Sequence, residues 1–244
     1  MIGCDCPTCR STDPRDTRLR PSIFVEADAG AHVLVDAGPD LRAQALRHGI
    51  RRVDAILFTH SHADHILGID DVRRFNAIMK GPMPCYADAE TLGDIRKTFH
   101  YVFDPLTPKG GGLPSLELRR IEGPLRIGGL DVTPIPLLHG ARHILGFRFD
   151  RFAYLTDCNG LAAETWALLE GLDAVVLDAL REQPHPTHFS LSEAVETARR
   201  IGARRTFFTH MCHHLRHEPT NARLPSGMAL AHDGLVLDLT TDRP

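Results

Sequence analysis

Long apolar runs and an excess of charge of one sign are both missing from this sequence. No stretch approaches the ~18 consecutive apolar residues that a membrane helix needs, so no membrane-spanning segment is predicted. Lys and Arg number 28 against 31 Asp and Glu, and the formal net charge is -3. Without a basic tail, the chain lacks the charge pattern of proteins that bind long nucleic acid through many phosphates. A small anionic substrate, held by a few local Arg, is compatible with this composition.

A secretory signal is also missing, because the first residues, MIGCDC, contain no basic region followed by an apolar run. Of the six Cys, Cys4, Cys6 and Cys9 crowd together near the start instead of spreading along the chain like a disulfide framework. In a cytoplasmic protein, such clustering indicates metal binding more than disulfide formation. The protein is therefore expected in the cytoplasm.

Apolar segments separated by turn residues predict alternating strands and helices. The predicted strands are residues 32–36, 53–59, 116–120, 131–136, 144–149, 152–156, 174–178, 206–209 and 234–239. The predicted helices are residues 40–48, 64–79, 87–97, 161–169 and 191–201, with a loop or lid over residues 99–112. Because strands and helices alternate in both halves, the pattern predicts a layered α/β fold. A single domain over residues 1–244 is expected, with residues 1–20 as a polar N-terminal loop.

The most informative motif is HSHADH at residues 60–65, directly after a predicted buried strand. Imidazole and carboxylate are the usual ligands of zinc and similar divalent ions. In a tight turn after the strand, His60 and His62 can point the same way. Asp64 and His65 then begin a helix whose first turn faces the same pocket. The motif can thus supply two metals, whereas a loop of four solvated polar residues is a poor explanation.

Three further candidate ligands, His139, Asp157 and His210, each follow a predicted apolar strand. Alone, each would more often be a loop or cap residue. Their recurrence at strand ends supports a shared role, and an Asp can bridge two cations with its two oxygens. Asp36 also follows a predicted strand, where it either supports a site or simply forms a turn.

These features resemble the metallo-β-lactamase superfamily of hydrolases over nearly the whole chain. The resemblance implies a four-layer αββα sandwich of the metallo-β-lactamase type, with mixed sheets and the helices outside. It further implies two divalent metals, Zn or Mn. The first would be held by His60, His62 and His139, and the second by Asp64, His65 and His210. Asp157 would bind both. Two such cations, ~3.5–4 Å apart, lower the pKa of a shared water so that the hydroxide attacks in line. Asp64 is expected to orient this hydroxide as well as bind metal.

Within the superfamily, the chain resembles the PhnP-like branch, bacterial phosphodiesterases that open a ribosyl cyclic phosphate. The spacing of Cys4, Cys6 and Cys9 carries this resemblance, together with a His three residues after His210. The resemblance implies that these Cys and His213 hold a structural zinc in a closed tetrahedral site. This zinc would staple the N-terminal loop, and His214 is the rival fourth ligand.

His188 is the second feature that carries the resemblance to this branch. It precedes a predicted helix with the capping-box pair Ser190 and Glu193. In the resembling enzymes, a His before this helix assists the leaving group or the phosphate, which suits a side chain with a near-neutral pKa. His188 and Asp64 are therefore the expected catalytic residues, and His185 is the weaker rival of His188.

The expected function is that of a dinuclear metal-dependent phosphodiesterase acting on a small, cyclic ribosyl phosphodiester. A tRNA 3′-processing ribonuclease shares the metal motif, but the basic arm that it would need is not seen. A thioesterase or lactamase, or a metal-binding regulatory module with an inactive hydrolase fold, are the remaining alternatives. Arg142 and His143 are candidates for a phosphate contact, and a homodimer is the default assembly.

One departure from the resembling enzymes concerns the start of the chain. Those enzymes carry a strand and a Gly-rich loop before the Cys cluster, whereas Met1 stands three residues before Cys4. Either a truncated start or an absent edge strand is expected.

Overall fold

The strand Leu130–His139 contains the boundary between two units of the chain. The computed structural model describes residues 1–239 apart from Lys109 and Gly111. Unit I is Arg20–Pro134, and unit II combines Met1–Leu19 with Ile135–Pro244. The single domain expected over residues 1–244 stays a prediction.

Unit I is built on a five-stranded sheet whose strands follow one another in chain order. These strands are β1 Ile23–Glu26, β2 His32–Val35, β3 Ala55–Leu57, β4 Met83–Ala87 and β5 Leu116–Arg120. β1 is antiparallel to β2, and the other neighbours are parallel. The helices are α1 Leu41–His48, α2 Ala63–Ile66, α3 Arg73–Met79, α4 Ala89–Thr98 and α5 His100–Phe103, with a 3-10 turn at Ile69–Val72. β3 is buried along its whole length, as expected for a parallel strand covered on both faces.

A short strand, β6 Leu125–Ile127, pairs with the beginning of β7, Leu130–His139, and closes unit I. Unit II continues with β8 Arg142–Phe149, β9 Phe152–Leu155, β10 Gly160–Leu161, β11 Ala174–Asp178, β12 Arg205–Thr209 and β13 Met228–Leu230. The sheet order is β10-β7-β8-β9-β11-β12-β13, with parallel pairing from β9 to β13. Its helices are α6 Thr165–Leu168, α7 Leu191–Ile201 and α8 His217–Asn221, with a 3-10 turn at Pro14–Asp16.

The predicted α/β class with mixed sheets is confirmed. Strand 174–178 and helix 191–201 have the predicted bounds, and the capping box of Ser190 and Glu193 is present. The other predicted strands up to residue 209 coincide with observed strands or overlap them. These matches lie where apolar periodicity is strong and the capping chemistry is explicit.

Three element predictions are wrong. The helix predicted over residues 64–79 is divided into α2, a 3-10 turn and α3, because the Gly68 N–H donates to Ala37 O at 2.8 Å instead of continuing a helix. The helix predicted over residues 161–169 is only α6, after the short β10. Residues 234–239 form no strand, and Met228–Leu230 takes that place beside β12.

The predicted loop 99–112 begins with α5, and its residues Lys109 and Gly111 lie outside the described part of the chain. Over the part that is described, no helix combines the length and the apolar character that crossing a membrane would require.

Candidate metal centre

The HSHADH motif forms the loop after β3 and the first turn of α2 in unit I. The ring centroid of His60 lies 4.5 Å from that of His62 and 4.3 Å from that of His65. The rings of His60 and His65 are buried, whereas His62 is exposed. Ser61 Oγ donates to Asp94 Oδ2 at 2.7 Å and ties the loop to α4. The structure thus gathers three imidazoles of the motif into one cluster.

Asp36 directly follows β2 and contacts this cluster at His65. Its Oδ2 lies 2.8 Å from His65 Nδ1 and accepts from Thr59 Oγ1 at 2.9 Å, while Oδ1 accepts from the Thr59 N–H at 2.9 Å. Burial raises the pKa of Asp36, and the His65 ring opposes this rise. Because Nδ1 of His65 is engaged with Asp36, Nε2 is the nitrogen that would bind a metal. Asp36 therefore orients a candidate ligand and does not merely form a turn.

Two glycines let the turn after β2 approach the metal motif. The Ala37 N–H donates to His65 O at 2.8 Å, and Gly68 N–H returns a bond to Ala37 O. A Cβ on Gly38 would collide with the Asp64 carbonyl oxygen, and a Cβ on Gly68 would collide with that of Gly38. Backbone contact at this distance leaves no room for a side chain, so both glycines are required by the geometry of the motif.

Unit II supplies a second group of candidate ligands at strand ends. The ligand atoms of Asp157, His188 and His210 lie within 4.8 Å of one another. Asp157 Oδ1 lies 3.2 Å from His210 Nε2, and the His188 and His210 rings are stacked with centroids 4.9 Å apart. His139 ends β7, and its Nδ1 lies 2.9 Å from Thr187 O. Burial lowers the pKa of His139, which favours the neutral imidazole that metals bind.

Asp178 is the residue of this group that sequence reasoning missed. Its carboxylate is fully buried at the end of β11 and accepts from the Asp157 N–H at 3.1 Å and the Phe189 N–H at 3.0 Å. Its Oδ1 also lies 3.2 Å from His188 Nδ1. Burial raises the pKa of Asp178 well above its usual range. The signal in the sequence was an acidic residue at the end of an otherwise apolar strand, the same pattern that pointed to Asp36 and Asp157.

Three residues of these two groups adopt the left-handed backbone conformation that side chains other than glycine rarely take. The φ angles are 64° at Asp36, 57° at Asp157 and 60° at His210. Asp36 and His210 directly follow β2 and β12, and Asp157 lies two residues after β9, so the chain turns sharply where each side chain must enter the site. Backbone strain of this kind concentrates at functional sites.

The Cys cluster predicted at the start of the chain is assembled in unit II. The Sγ atoms of Cys4, Cys6 and Cys9 lie 3.3, 3.4 and 3.6 Å from His213 Nδ1. Tetrahedral zinc with Zn–S of ~2.3 Å and Zn–N of ~2.0–2.1 Å places sulfur and nitrogen ~3.5 Å apart. The backbone N–H of Cys9 and the ring of His213 lower the pKa of Cys6 to about 6, which favours the thiolate. This donor set therefore fits a structural zinc ion.

The N-terminal loop reaches His213 because Arg18 and Asp16 anchor it to the segment after β12. Arg18 donates to Cys212 O at 3.0 Å and to Leu215 O at 2.6 Å. The His217 N–H donates to Asp16 Oδ1 at 2.7 Å. These bonds join the N-terminal loop to the segment that carries His213.

The rival residues have different surroundings. The ring centroid of His214 lies 4.4 Å from that of His213, but His213 supplies the nitrogen next to the three thiols. His185 has its ring centroid 5.0 Å from that of His188, and its Nδ1 lies 3.2 Å from Thr187 Oγ1. Arg142 and His143 begin β8. Their assignment to a phosphate stays a prediction, as does the role of each predicted metal ligand.

Comparison with known proteins gives the family. The beta-lactamase superfamily domain matches residues 31–211. The crystal structure of a diphosphatase from the PhnP family is 46% identical, with a TM-score of 0.89, and the match covers 96% of this chain and 89% of that one. The crystal structure of zinc-bound PqqB from Methylobacterium extorquens shares the fold, with 22% identity and a TM-score of 0.74 over 98% of this chain and 95% of that one.

Two curated relatives show how functions differ among similar proteins. The octanoyltransferase of Porphyromonas gingivalis is 35% identical over 96% of this chain, which spans only 48% of that protein, about half its length. The ribonuclease Z of Pyrobaculum aerophilum is 25% identical over 81% of this chain and 82% of that protein. The family match and the 46% identity over most of a solved structure nevertheless agree with the ligand-bearing motifs described above. This chain belongs to the metallo-β-lactamase superfamily and to its PhnP-like branch.

Proposed function

We propose that this protein is a metal-dependent phosphoric ester hydrolase that acts on a small phosphodiester, such as a cyclic ribosyl phosphate, or on a diphosphate bond. The observation that carries this proposal is the placement of His188, backed by the buried Asp178, within ligand distance of Asp157 and His210. Membership of the PhnP-like branch supports it, since a member of that family is described as a diphosphatase.

The proposed metal ligands follow the motif and the family. His60, His62 and His139 hold one divalent metal, Asp64, His65 and His210 hold the other, and Asp157 binds both. Imidazole and carboxylate donors of this kind fit Zn or Mn. When bound, the metals supply Lewis-acid activation of water and of the phosphoryl oxygens.

The protein's own residues have distinct tasks in this proposal. Asp36 holds His65 in the orientation that presents Nε2. Asp178 accepts from His188 Nδ1–H and stabilises the imidazolium form of the ring, whose Nε2–H is then available for the leaving oxygen. Asp64 orients the attacking water in addition to its role as a ligand. Cys4, Cys6, Cys9 and His213 hold a structural zinc that takes no part in the chemistry.

The test is hydrolysis of bis(p-nitrophenyl) phosphate by Mn- or Zn-loaded protein, with metal content measured on the same samples. We expect turnover in the wild type, near three metals per chain, and almost complete loss of activity in Asp157→Ala. Asp150→Ala is the matched control, because Asp150 lies in the exposed turn between β8 and β9 and also has a positive φ. A fully metallated wild type that leaves phosphodiesters and diphosphates intact would refute the proposal.

A tRNA 3′-processing ribonuclease is the second candidate, favoured by the similarity to ribonuclease Z over most of both chains. Cleavage of a precursor tRNA at the 3′ end of the mature sequence would support it. An octanoyl thioester belongs in the same substrate panel because of the relative from Porphyromonas gingivalis. Turnover of the thioester alone would move the assignment to acyl chemistry.

A further inference from the structure

Arg20 places a permanent positive charge beside the metal motif. Its Nη1 lies 3.5 Å from Asp64 Oδ2, the acidic residue of HSHADH. Asp64 Oδ2 in turn lies 3.9 Å from His65 Nε2, the ring nitrogen assigned to metal. Arg20 therefore contacts a proposed metal ligand. Its guanidinium cannot bind a metal cation itself, because it has no free electron pair to offer.

The backbone of Arg20 is held in place by the beginning of α1. The Arg20 N–H donates to Asp40 Oδ2 at 2.8 Å, and Arg20 O accepts from Gln44 Nε2 at 2.8 Å. Gly38 lies so close that a Cβ there would come within 3.3 Å of Arg20 Cβ. These contacts fix the point from which the long side chain extends toward Asp64.

The guanidinium retains capacity for an anion. The Arg20 side chain is 58% exposed, and its 3.5 Å approach to Asp64 is at the long end of an ion pair. A guanidinium has five N–H donors and binds phosphate through two parallel hydrogen bonds. An arginine serving only to neutralise Asp64 is expected to be more buried and to bond at a shorter distance. The exposed fork suits an anionic group that arrives with the substrate.

We infer that Arg20 binds a second anionic group of the substrate, a phosphate next to the one that is attacked, and that the substrate class is therefore a diester of diphosphate. This inference rests on the proposed function. Water adds to one phosphorus, the bond from that phosphorus to the bridging oxygen breaks, and two phosphate monoesters form. The bridging oxygen leaves with the phosphate held by Arg20 and takes a proton from His188. The attacking water gives up one proton to solvent, and His188 regains its proton from solvent.

The first test is a binding measurement that needs no turnover. P1,P2-diethyl diphosphate and diethyl phosphate are titrated calorimetrically into metal-loaded wild type, Arg20→Gln and Arg42→Gln, with metal content checked afterwards. Arg42 is an exposed arginine on α1, so Arg42→Gln removes the same charge nearby. For Arg20→Gln, we expect at least ~10-fold weaker binding of the diphosphate, because a fold-change of this size corresponds to the loss of one charge-assisted hydrogen bond. Diethyl phosphate binding should change less than ~2-fold, as for a screened surface charge.

The second test separates this inference from the proposed function. In Arg20→Gln, KM for the diphosphate diester should rise much more than KM for bis(p-nitrophenyl) phosphate, and Arg20→Lys should restore only part of the loss. Arg42→Gln should leave both KM values near those of the wild type. Equal weakening for both compounds, or no weakening for either, would overturn the role of Arg20. A third outcome would overturn the proposed function alone: the wild type hydrolyses neither compound, yet Arg20→Gln binds the diphosphate more weakly than the wild type does.

Discussion

Asp178 Oδ1 lies 3.2 Å from His188 Nδ1, and both side chains are buried in unit II. The same carboxylate accepts from the Asp157 N–H. One buried acid therefore orients two residues of the candidate site, a proposed proton donor and a proposed bridging ligand.

Asp178→Asn should lower kcat ~10- to 100-fold, the usual effect of removing a residue that orients a ligand or base. KM should change little, because Asp178 does not touch the substrate, and Asp178→Glu should recover part of the loss. Steady-state kinetics with metal content checks this. Asp173→Asn, at the other end of β11 and paired with Arg151, is the control that should keep kcat. Equal losses in the two variants would argue against a positioning role.

Asp36→Asn should weaken metal binding ~10- to 100-fold through His65. Asn tolerates the left-handed conformation at this position, so the backbone is retained. The amide nevertheless replaces one acceptor oxygen with a donor facing Thr59 or His65. Competition with a chelator measures the affinity, and Asp150→Asn, another left-handed Asp, is the control. Unchanged affinity in Asp36→Asn would separate Asp36 from the metal.

Cys6→Ser should remove about one zinc per chain and lower Tm, because a bound metal stabilises the folded state by mass action. The loss should be accompanied by proteolytic cleavage within the N-terminal loop. Cys212→Ser is matched, since Cys212 is half-buried next to His213 but outside the group of four donors. Zinc analysis and limited proteolysis test this prediction, and retention of the full zinc content in Cys6→Ser would contradict it.

Ser190→Ala should destabilise the protein by ~1 kcal/mol, the usual cost of losing an N-cap. Ser190 Oγ accepts from the Glu193 N–H, and Glu193 Oε2 accepts from the Ser190 N–H, so the change removes half of a capping box. Urea denaturation measures the free energy of unfolding. Ser192→Ala, in the same helical turn and exposed, should cost less. A larger loss in Ser192→Ala would show that the cap is not the source of stability.

Local patterns predicted the parts of the structure that local interactions determine. Strand 174–178 and the capped helix that begins after Ser190 have continuous apolar or periodic signals, and both are correct. The HSHADH motif and the Cys spacing identified candidate ligands because few other arrangements place so many donors so close in sequence. The family and the fold class followed from these motifs.

The remaining features depend on contacts that sequence periodicity does not show. Helix 64–79 breaks because Gly68 bonds to the turn at Ala37, far away in sequence. Asp178 gains its role from three hydrogen bonds made across unit II, so its position at a strand end alone did not single it out. The Arg20 contact with Asp64 likewise joins residues more than forty positions apart.

The left-handed backbone at Asp36, Asp157 and His210 has a consequence for protein engineering. Each such residue costs ~1–3 kcal/mol that glycine would largely avoid. Selection for heat resistance alone would thus reward replacing these three side chains, and the most thermostable variants at these positions would be inactive. Any stabilisation campaign on this fold should hold them constant and search elsewhere.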